Sequence, residues 1–220
     1  MRAMILAAGR GERMRELTLQ TPKPLLRVKG RYLIDYAILN LKRAGIYEIV
    51  INVSHLGDQI KNALGDGAQY GVAITYSDEP ERLETGGGIF KALPLLGDAP
   101  FVVVSGDVIC DYPLQSLPKE PTGLAHLVLV NNPDFHPKGD FGLRDGRVLM
   151  NASEKLTFGN IGVYRPSLFA GCKPGHYPLN QLLFPAISAK QVTGEHYLGA
   201  WHNIGTPEQL KEIEAGLMIG

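Results

Sequence analysis

The chain is poor in cysteine, carries no net charge and has no long apolar run, and each shortage closes a class of answers. Two cysteines, Cys110 and Cys172, stand far apart among 220 residues and form no C-x-x-C pair. That spacing suggests no disulfide framework, so a reducing compartment is the default expectation. Lysine plus arginine equals aspartate plus glutamate, 22 of each. No global field then draws the protein to nucleic acid or to an acidic membrane. No apolar run approaches a membrane span, and Met1 to Leu6 is too short for a signal-peptide core. The expectation is a cytoplasmic protein with neither a membrane nor a nucleic-acid partner. The six histidines show no H-x-x-x-H and no clustered Cys/His spacing, which argues against zinc. His196 and His202 could share one strand face, a weak signal. No G-x-S-x-G nucleophile motif occurs.

What is present is an ordinary apolar fraction, 45%, in a chain long enough for one large domain without covalent staples. The first half alternates. Arg2 to Leu6, Glu48 to Val53, Val72 to Tyr76 and Phe101 to Ser105 read as strands. Leu33 to Ala44, Asp58 to Leu64 and Gly87 to Leu96 read as helices, the first two stopped by Gly45 and Gly65. This alternation predicts a mainly parallel sheet with helices on both faces. The second half reads differently. Leu124 to Val130 and Leu156 to Tyr164 are strands, and Asp145-Gly146 joins a hairpin. Leu179 to Ala189 is helical, with Pro185 expected to bend or break it. His196 to Ile204 is a late strand, and Pro207 to Leu217 a last helix capped by Thr206. The fold expected is a three-layer, Rossmann-like α/β/α domain over 1–220. Its central sheet is mixed, mainly parallel, with antiparallel insertions towards the C-terminus.

Four motifs carry chemistry. Ala7-Ala8-Gly9-Arg10-Gly11-Glu12-Arg13 follows the first strand. Small residues let backbone N–H groups approach an anion, and arginine adds charge-assisted contacts. A dinucleotide fingerprint would want glycine where Met14 stands and an acidic residue where the second strand offers Asn52. A P-loop would want G-K-[ST]. The loop fits neither. Lys23 sits between Pro22 and Pro24, a point charge on a stiffened turn. Leu83-Glu84-Thr85-Gly86-Gly87-Gly88 leads into a helix, and three glycines there are costly unless a flat ligand lies against bare backbone. Asp107 follows the strand Phe101 to Ser105, at the carboxyl edge where open α/β sheets bind ligands. Such an aspartate either binds Mg²⁺ or caps a turn.

Together with Trp201-His202-Asn203-Ile204-Gly205-Thr206, these motifs resemble the sugar-1-phosphate nucleotidyltransferase family, in the right order and over nearly the whole chain. The resemblance implies an enzyme that joins a nucleoside triphosphate to a sugar 1-phosphate and releases pyrophosphate, with Mg²⁺ as cofactor. It implies that residues 1–120 hold the nucleotide and 121–220 mainly the sugar. By position, Ala8, Gly9 and Gly11 line the nucleotide, Arg13 holds the triphosphate and Lys23 meets the reacting phosphates. Thr85 and Gly86 lie near the base, with Glu84 beside them. Asp107 is a metal ligand. Asn203 stands where the family usually has aspartate as the second metal ligand. Gly142 and Asn160 fall at the sugar. Glu154-Lys155 is similar to a pair used on the sugar and its phosphate, although Leu156 replaces the expected proline. In length and in the run Leu83 to Pro94 the chain is most similar to compact bacterial uridylyltransferases of N-acetylmuramate 1-phosphate, which imply a place in cell-wall sugar recycling. These forms lack the extra C-terminal domain of longer relatives. Short mannose-1-phosphate guanylyltransferases are similar too. Two other classes compete: a sugar-nucleotide sensor that lost catalysis, favoured only by Asn203, and more distantly a nicotinamide-dependent oxidoreductase. Oligomeric state is left open.

Overall fold

A computed structural model describes residues 1–216 of the chain. Strand β1 (Ala3–Leu6) is followed by a long loop, the short hairpin β2 (Arg27–Val28) and β3 (Arg31–Tyr32), and helix α1 (Leu33–Arg43). Then come β4 (Glu48–Val53), α2 (Gly57–Leu64), β5 (Ala73–Asp78), α3 (Glu84–Leu96), β6 (Phe101–Ser105) and β7 (Val108–Cys110). The second half holds β8 (Ala125–Val130), β9 (Gly142–Arg144), β10 (Arg147–Leu149), β11 (Thr157–Tyr164), α4 (Asn180–Ser188), β12 (Val192–Tyr197), β13 (Trp201–Asn203) and α5 (Pro207–Gly216).

One nine-stranded sheet runs through both halves in the order β5-β4-β1-β6-β11-β8-β12-β10-β9. Strands β5, β4, β1 and β6 are mutually parallel. Strand β11 runs against β6 and β8, while β12 is parallel to β8 and the β9–β10 hairpin closes the edge. The sheet is therefore mixed and mostly parallel. Because strands β1, β4 and β6 are covered on both faces, they read as unbroken apolar runs. Ala3 and Ile5 pack against Ile34, Ile38 and Leu41 of α1 and Ile60 and Leu64 of α2. Met4, pointing the other way, packs in a second cluster with Ile89, Ala92 and Leu96 of α3 and Leu183 and Ile187 of α4. A smaller third core joins Met14, Leu26, Val28, Leu33, Ile109, Ile204 and Ile213. It anchors the loop after β1 against β7, the turn after β13 and α5, and it explains why Met14 stands where a dinucleotide loop has glycine.

The structure departs from the sequence reading in three elements. Helix α3 starts at Glu84, so the glycine run lies inside it. Helix α4 continues through Pro185. The ring fixes a helical φ and forfeits one backbone bond, a cost of about 3 kcal/mol. Burying Leu183 and Ile187 returns about 1.5–3 kcal/mol each. The late strand splits in two: β12 pairs with β8 in the main sheet, whereas β13 pairs antiparallel with β7. His196 and His202 therefore lie in different sheets and share no face. At the last helix Thr206 Oγ1 accepts from the Gln209 N–H at 3.3 Å, and Gln209 Oε1 accepts from the Thr206 N–H at 3.0 Å, a capping box. The expected end of this helix, Leu217, lies outside the described residues.

Candidate active site

The carboxyl ends of β1, β4, β5 and β6 open into a cleft of about 370 Å³, within the usual range for a small-molecule site. Ala8, Gly9, Gly11, Arg13, Lys23, Glu84, Thr85, Asp107 and Asn160 line it, so the structure brings most of the expected residues together. The loop after β1 turns into a short 3-10 segment rather than a long helix, and α1 begins only at Leu33. No long-helix N-terminus therefore follows this loop, and the cations beside it are side chains: Arg10, Arg13, Lys23 and Arg82.

The two glycines of the loop differ. Gly11 has φ 66°, and a Cβ there would meet Thr18 and the Lys23 stem at 3.0–3.1 Å. The chain itself therefore requires that glycine. Gly9 has neither a left-handed φ nor a neighbour within 4 Å of a Cβ. Among the described residues nothing packs against that position, so the Gly9 backbone is open to the cleft it lines. Gly205, in the Trp201–Thr206 motif, makes room for Arg13: a Cβ would lie 3.1 Å from the guanidinium.

Lys23 is buried on its proline turn, where the Leu26 N–H donates to its carbonyl at 3.0 Å. Its ammonium is paired with the Asp107 carboxylate. The other Asp107 oxygen accepts from the Ser105 hydroxyl at 2.6 Å. Neither the pairing nor Ser105 was evident from the sequence, because 84 residues separate lysine from aspartate. Asn203 sits across the β13–β7 ladder from Val108, and the next residue, Ile204, donates its N–H to the Asp107 carbonyl at 2.9 Å. The Asn203 side-chain oxygen is buried without a hydrogen-bond partner. A neutral oxygen left unpaired next to a carboxylate turn fits a hard cation. Among the described residues no cluster of three or more His, Cys, Asp or Glu could hold a metal, so any ion here would take its remaining ligands from phosphate or water.

The glycine run has a different cause from the one the sequence suggested. A Cβ on Gly86 would lie 2.7 Å from the Tyr177 ring, and one on Gly87 2.1 Å from the Gly175 carbonyl oxygen. One on Gly88 would lie 2.5 Å from Glu79 Oε1. The run exists so that α3 can pack closely, and Gly86 itself is buried beneath Tyr177 rather than lining the cleft. Glu84 opens the helix at φ 59° and is held by Arg82 at 2.8 Å. Strain of this kind collects at functional sites.

A second cleft of about 330 Å³ abuts the first, and Thr85 and Asn160 line both. Its wall carries Phe135, Phe158, Trp201, Asp140 and Asn203. Phe135 is 52% exposed, while the Trp201 indole N–H is fixed on the Gly159 carbonyl at 2.9 Å. Asn160 reaches both clefts from an irregular stretch of β11, at φ 56°. Gly142 and Glu154 line neither. Gly142 is buried, with a would-be Cβ 2.3 Å from Ala152, and Glu154 is exposed on the following loop.

Two buried polar residues of the first cleft were missed as site residues. Asn52 and Glu79 are each 3% exposed and bonded to one another at 2.7 Å. Burial pushes the Glu79 carboxyl above the usual range, against hydrogen bonds from Asn52 and Leu83 that lower it. No local pattern marks such a pair, since one partner lies on β4 and the other just after β5.

Residues 2–145 match the nucleotidyl transferase family model. The chain belongs to the nucleotidyl transferase family. Among its relatives, the N-acetylmuramate alpha-1-phosphate uridylyltransferase of Neisseria meningitidis is 49% identical over 98% of this chain and 97% of its own length. The protein of that name from Caulobacter vibrioides is 32% identical over 98% and 96%. The mannose-1-phosphate guanyltransferase of Aspergillus oryzae is also 32% identical, but this chain spans 62% of it. A solved structure from Bacillus anthracis, described as a glucose-1-phosphate thymidylyltransferase, superposes with a TM-score of 0.86 over 98% of this chain and 94% of that one. At 22% identity this likeness speaks for the fold.

Proposed function

We propose that this nucleotidyltransferase condenses UTP with N-acetylmuramate 1-phosphate to give UDP-N-acetylmuramate and pyrophosphate. The observation that carries a two-substrate transfer is the pair of abutting clefts that share Thr85 and Asn160. The first, with its four cations, suits a nucleoside triphosphate, and the second, with exposed Phe135 and half-buried Phe158 and Trp201, suits a sugar. The 49% identity over nearly both full lengths favours the uridylyl and N-acetylmuramate assignment over the guanyltransferases. On this reading residues 1–120 serve mainly the nucleotide and 121–220 mainly the sugar, and the product belongs to cell-wall sugar recycling. No described helix is long and apolar enough to cross a membrane, and the enzyme would work in the cytoplasm.

In the reaction a phosphate oxygen of the sugar 1-phosphate forms a bond to the α-phosphorus as the bond from α-phosphorus to the bridging oxygen breaks. Pyrophosphate leaves with that electron pair. The nucleophile is already anionic, so no strong general base is required. What opposes reaction is the meeting of two polyanions. Arg13 and Lys23 answer by neutralising and positioning charge, a contribution of several kcal/mol in such sites. Before ligands arrive Lys23 and Asp107 neutralise one another, so the buried ammonium is never left unpaired. Lys23 then exchanges carboxylate for phosphate. Asp107 and Asn203 would hold Mg²⁺, which supplies further neutralisation of the triphosphate when bound. The test is pyrophosphate release by the wild-type protein with UTP, N-acetylmuramate 1-phosphate and Mg²⁺. Tight nucleotide binding without release under any Mg²⁺ concentration, with release restored by Asn203→Asp, would support the sensor reading instead.

A further inference from the structure

Asn52 lies near the end of β4 and Glu79 follows β5, and both line the first cleft. They join two stretches of main chain. The Ala7 N–H donates to Asn52 Oδ1 at 2.8 Å, the Asn52 amide donates to Glu79 Oε1 at 2.7 Å, and the Leu83 N–H donates to Glu79 Oε2 at 3.2 Å. The run starts where β1 becomes the glycine loop and finishes at the residue before α3. Those two stretches, Ala7–Arg13 and Arg82–Thr85, both contribute walls to the cleft. The first turn of α3 closes over the pair, because a Cβ on Gly88 would meet Glu79 Oε1 at 2.5 Å and Asn52 Nδ2 at 3.1 Å. A buried carboxylate is an expensive way to fill space. Its geometry here makes it a tie.

We propose that Asn52 and Glu79 are a positioning pair for the nucleoside triphosphate, holding the two walls at the separation the nucleotide fits. The proposal rests on the reading of this cleft as the nucleotide site. The pair acts through backbone and touches no reacting phosphate. It therefore governs nucleotide affinity first and reaches the second cleft only through Thr85, the one residue of these walls that lines both.

The test exchanges donor for acceptor. Asn52→Asp alone sets two carboxylates face to face. Glu79→Gln alone turns its new NH₂ towards either the Asn52 amide or the Leu83 N–H, and two donors meet. In the double variant Asn52→Asp/Glu79→Gln the aspartate accepts from Ala7 and from the glutamine amide, and the glutamine oxygen accepts from Leu83. All three bonds return with the charge moved from one residue to the other. Binding of UTP, and separately of GTP, is measured by calorimetry, and KM for the sugar 1-phosphate by pyrophosphate release. Each single variant is expected to weaken binding of the preferred nucleotide roughly 10- to 100-fold, the consequence of a buried polar group losing its partner. The sugar KM should stay within about twofold and the double variant within about threefold of wild type, differences of well under 1 kcal/mol. Singles that bind like wild type, or a double variant as weak as the singles, would overturn the proposal. Should a single variant fail to fold, the double variant decides: folded with near wild-type affinity it supports the tie, unfolded it overturns it. A wild type that binds neither nucleotide would overturn the functional reading of the cleft and this proposal with it, whereas the other contrary results overturn the pair's role alone.

Discussion

Gly88→Ala reverses the usual sign of a helix substitution. In an open helix interior, glycine to alanine stabilises by about 1 kcal/mol. In α3 the new methyl would stand 2.5 Å from Glu79 Oε1, a distance real Cβ atoms essentially never show. The carboxylate cannot yield freely, since Asn52 and the Leu83 N–H hold both its oxygens. Overpacking of this kind costs about 1–3 kcal/mol. Loss of a buried hydrogen bond with an unsatisfied partner adds about 1–3 kcal/mol. After the propensity gain, a net loss of about 3 kcal/mol is expected, which lowers Tm by about 6–12 °C in a chain of this size. Urea and thermal unfolding followed by circular dichroism measure it. Gly175→Ala is the control, because nothing lies within 4 Å of its would-be Cβ, and it should fall within about 0.5 kcal/mol of wild type. Gly88→Ala as stable as wild type would show that the packing of α3 on the Asn52–Glu79 pair is looser than described. A more stable variant would refute the steric reasoning outright.

Arg13→Ala should lose most turnover while melting like wild type, since Arg13 is exposed; retained turnover would remove it from the mechanism. Lys23→Ala should lose turnover and also some stability, because it leaves Asp107 without its ion-pair partner; a variant with unchanged Tm would contradict the burial argument. In a Mg²⁺ titration Asn203→Asp should lower the concentration for half-maximal rate, and Asp107→Ala should nearly eliminate activity; equal half-saturation for wild type and Asn203→Asp would place Asn203 outside the metal site. Burial pushes the Cys110 thiol up to about 11. Its thiolate fraction at pH 8 is then about one in a thousand, so alkylation by iodoacetamide should be slow and rise about tenfold per pH unit up to pH 10. Rapid modification of Cys110 at pH 7 would contradict this.

The parts of the site legible in the sequence are those written as contiguous motifs. The loop Ala7–Arg13, the turn around Lys23 and Asp107 just past β6 each follow or flank a recognisable element, and the parallel sheet brings them to one edge. What stayed hidden depends on contacts across the chain. The glycines of α3 read as a surface for a ligand because the Tyr177 ring, the Gly175 carbonyl and Glu79 oppose them only after folding. Lys23 was legible as a point charge on a stiffened turn but not as half of a buried ion pair, because its partner is 84 residues away. Asn52 entered the sequence reading only as a missing acidic residue, although its amide is what bonds Glu79. Gly142 and Glu154 were placed at the sugar by resemblance, but Gly142 is buried in β9 and Glu154 is exposed on the loop after β10, and neither lines a cleft. The late strand was legible as extended chain, but apolar patterning cannot show that Trp201–Asn203 leaves the main sheet for β7.

The central claim is most directly tested by measuring pyrophosphate release by the wild-type protein across a matrix of nucleoside triphosphates and sugar 1-phosphates at saturating Mg²⁺. UTP with N-acetylmuramate 1-phosphate is predicted to give the highest kcat/KM of all pairs. A clear preference for GTP with mannose 1-phosphate, or the absence of release with every pair, would contradict it.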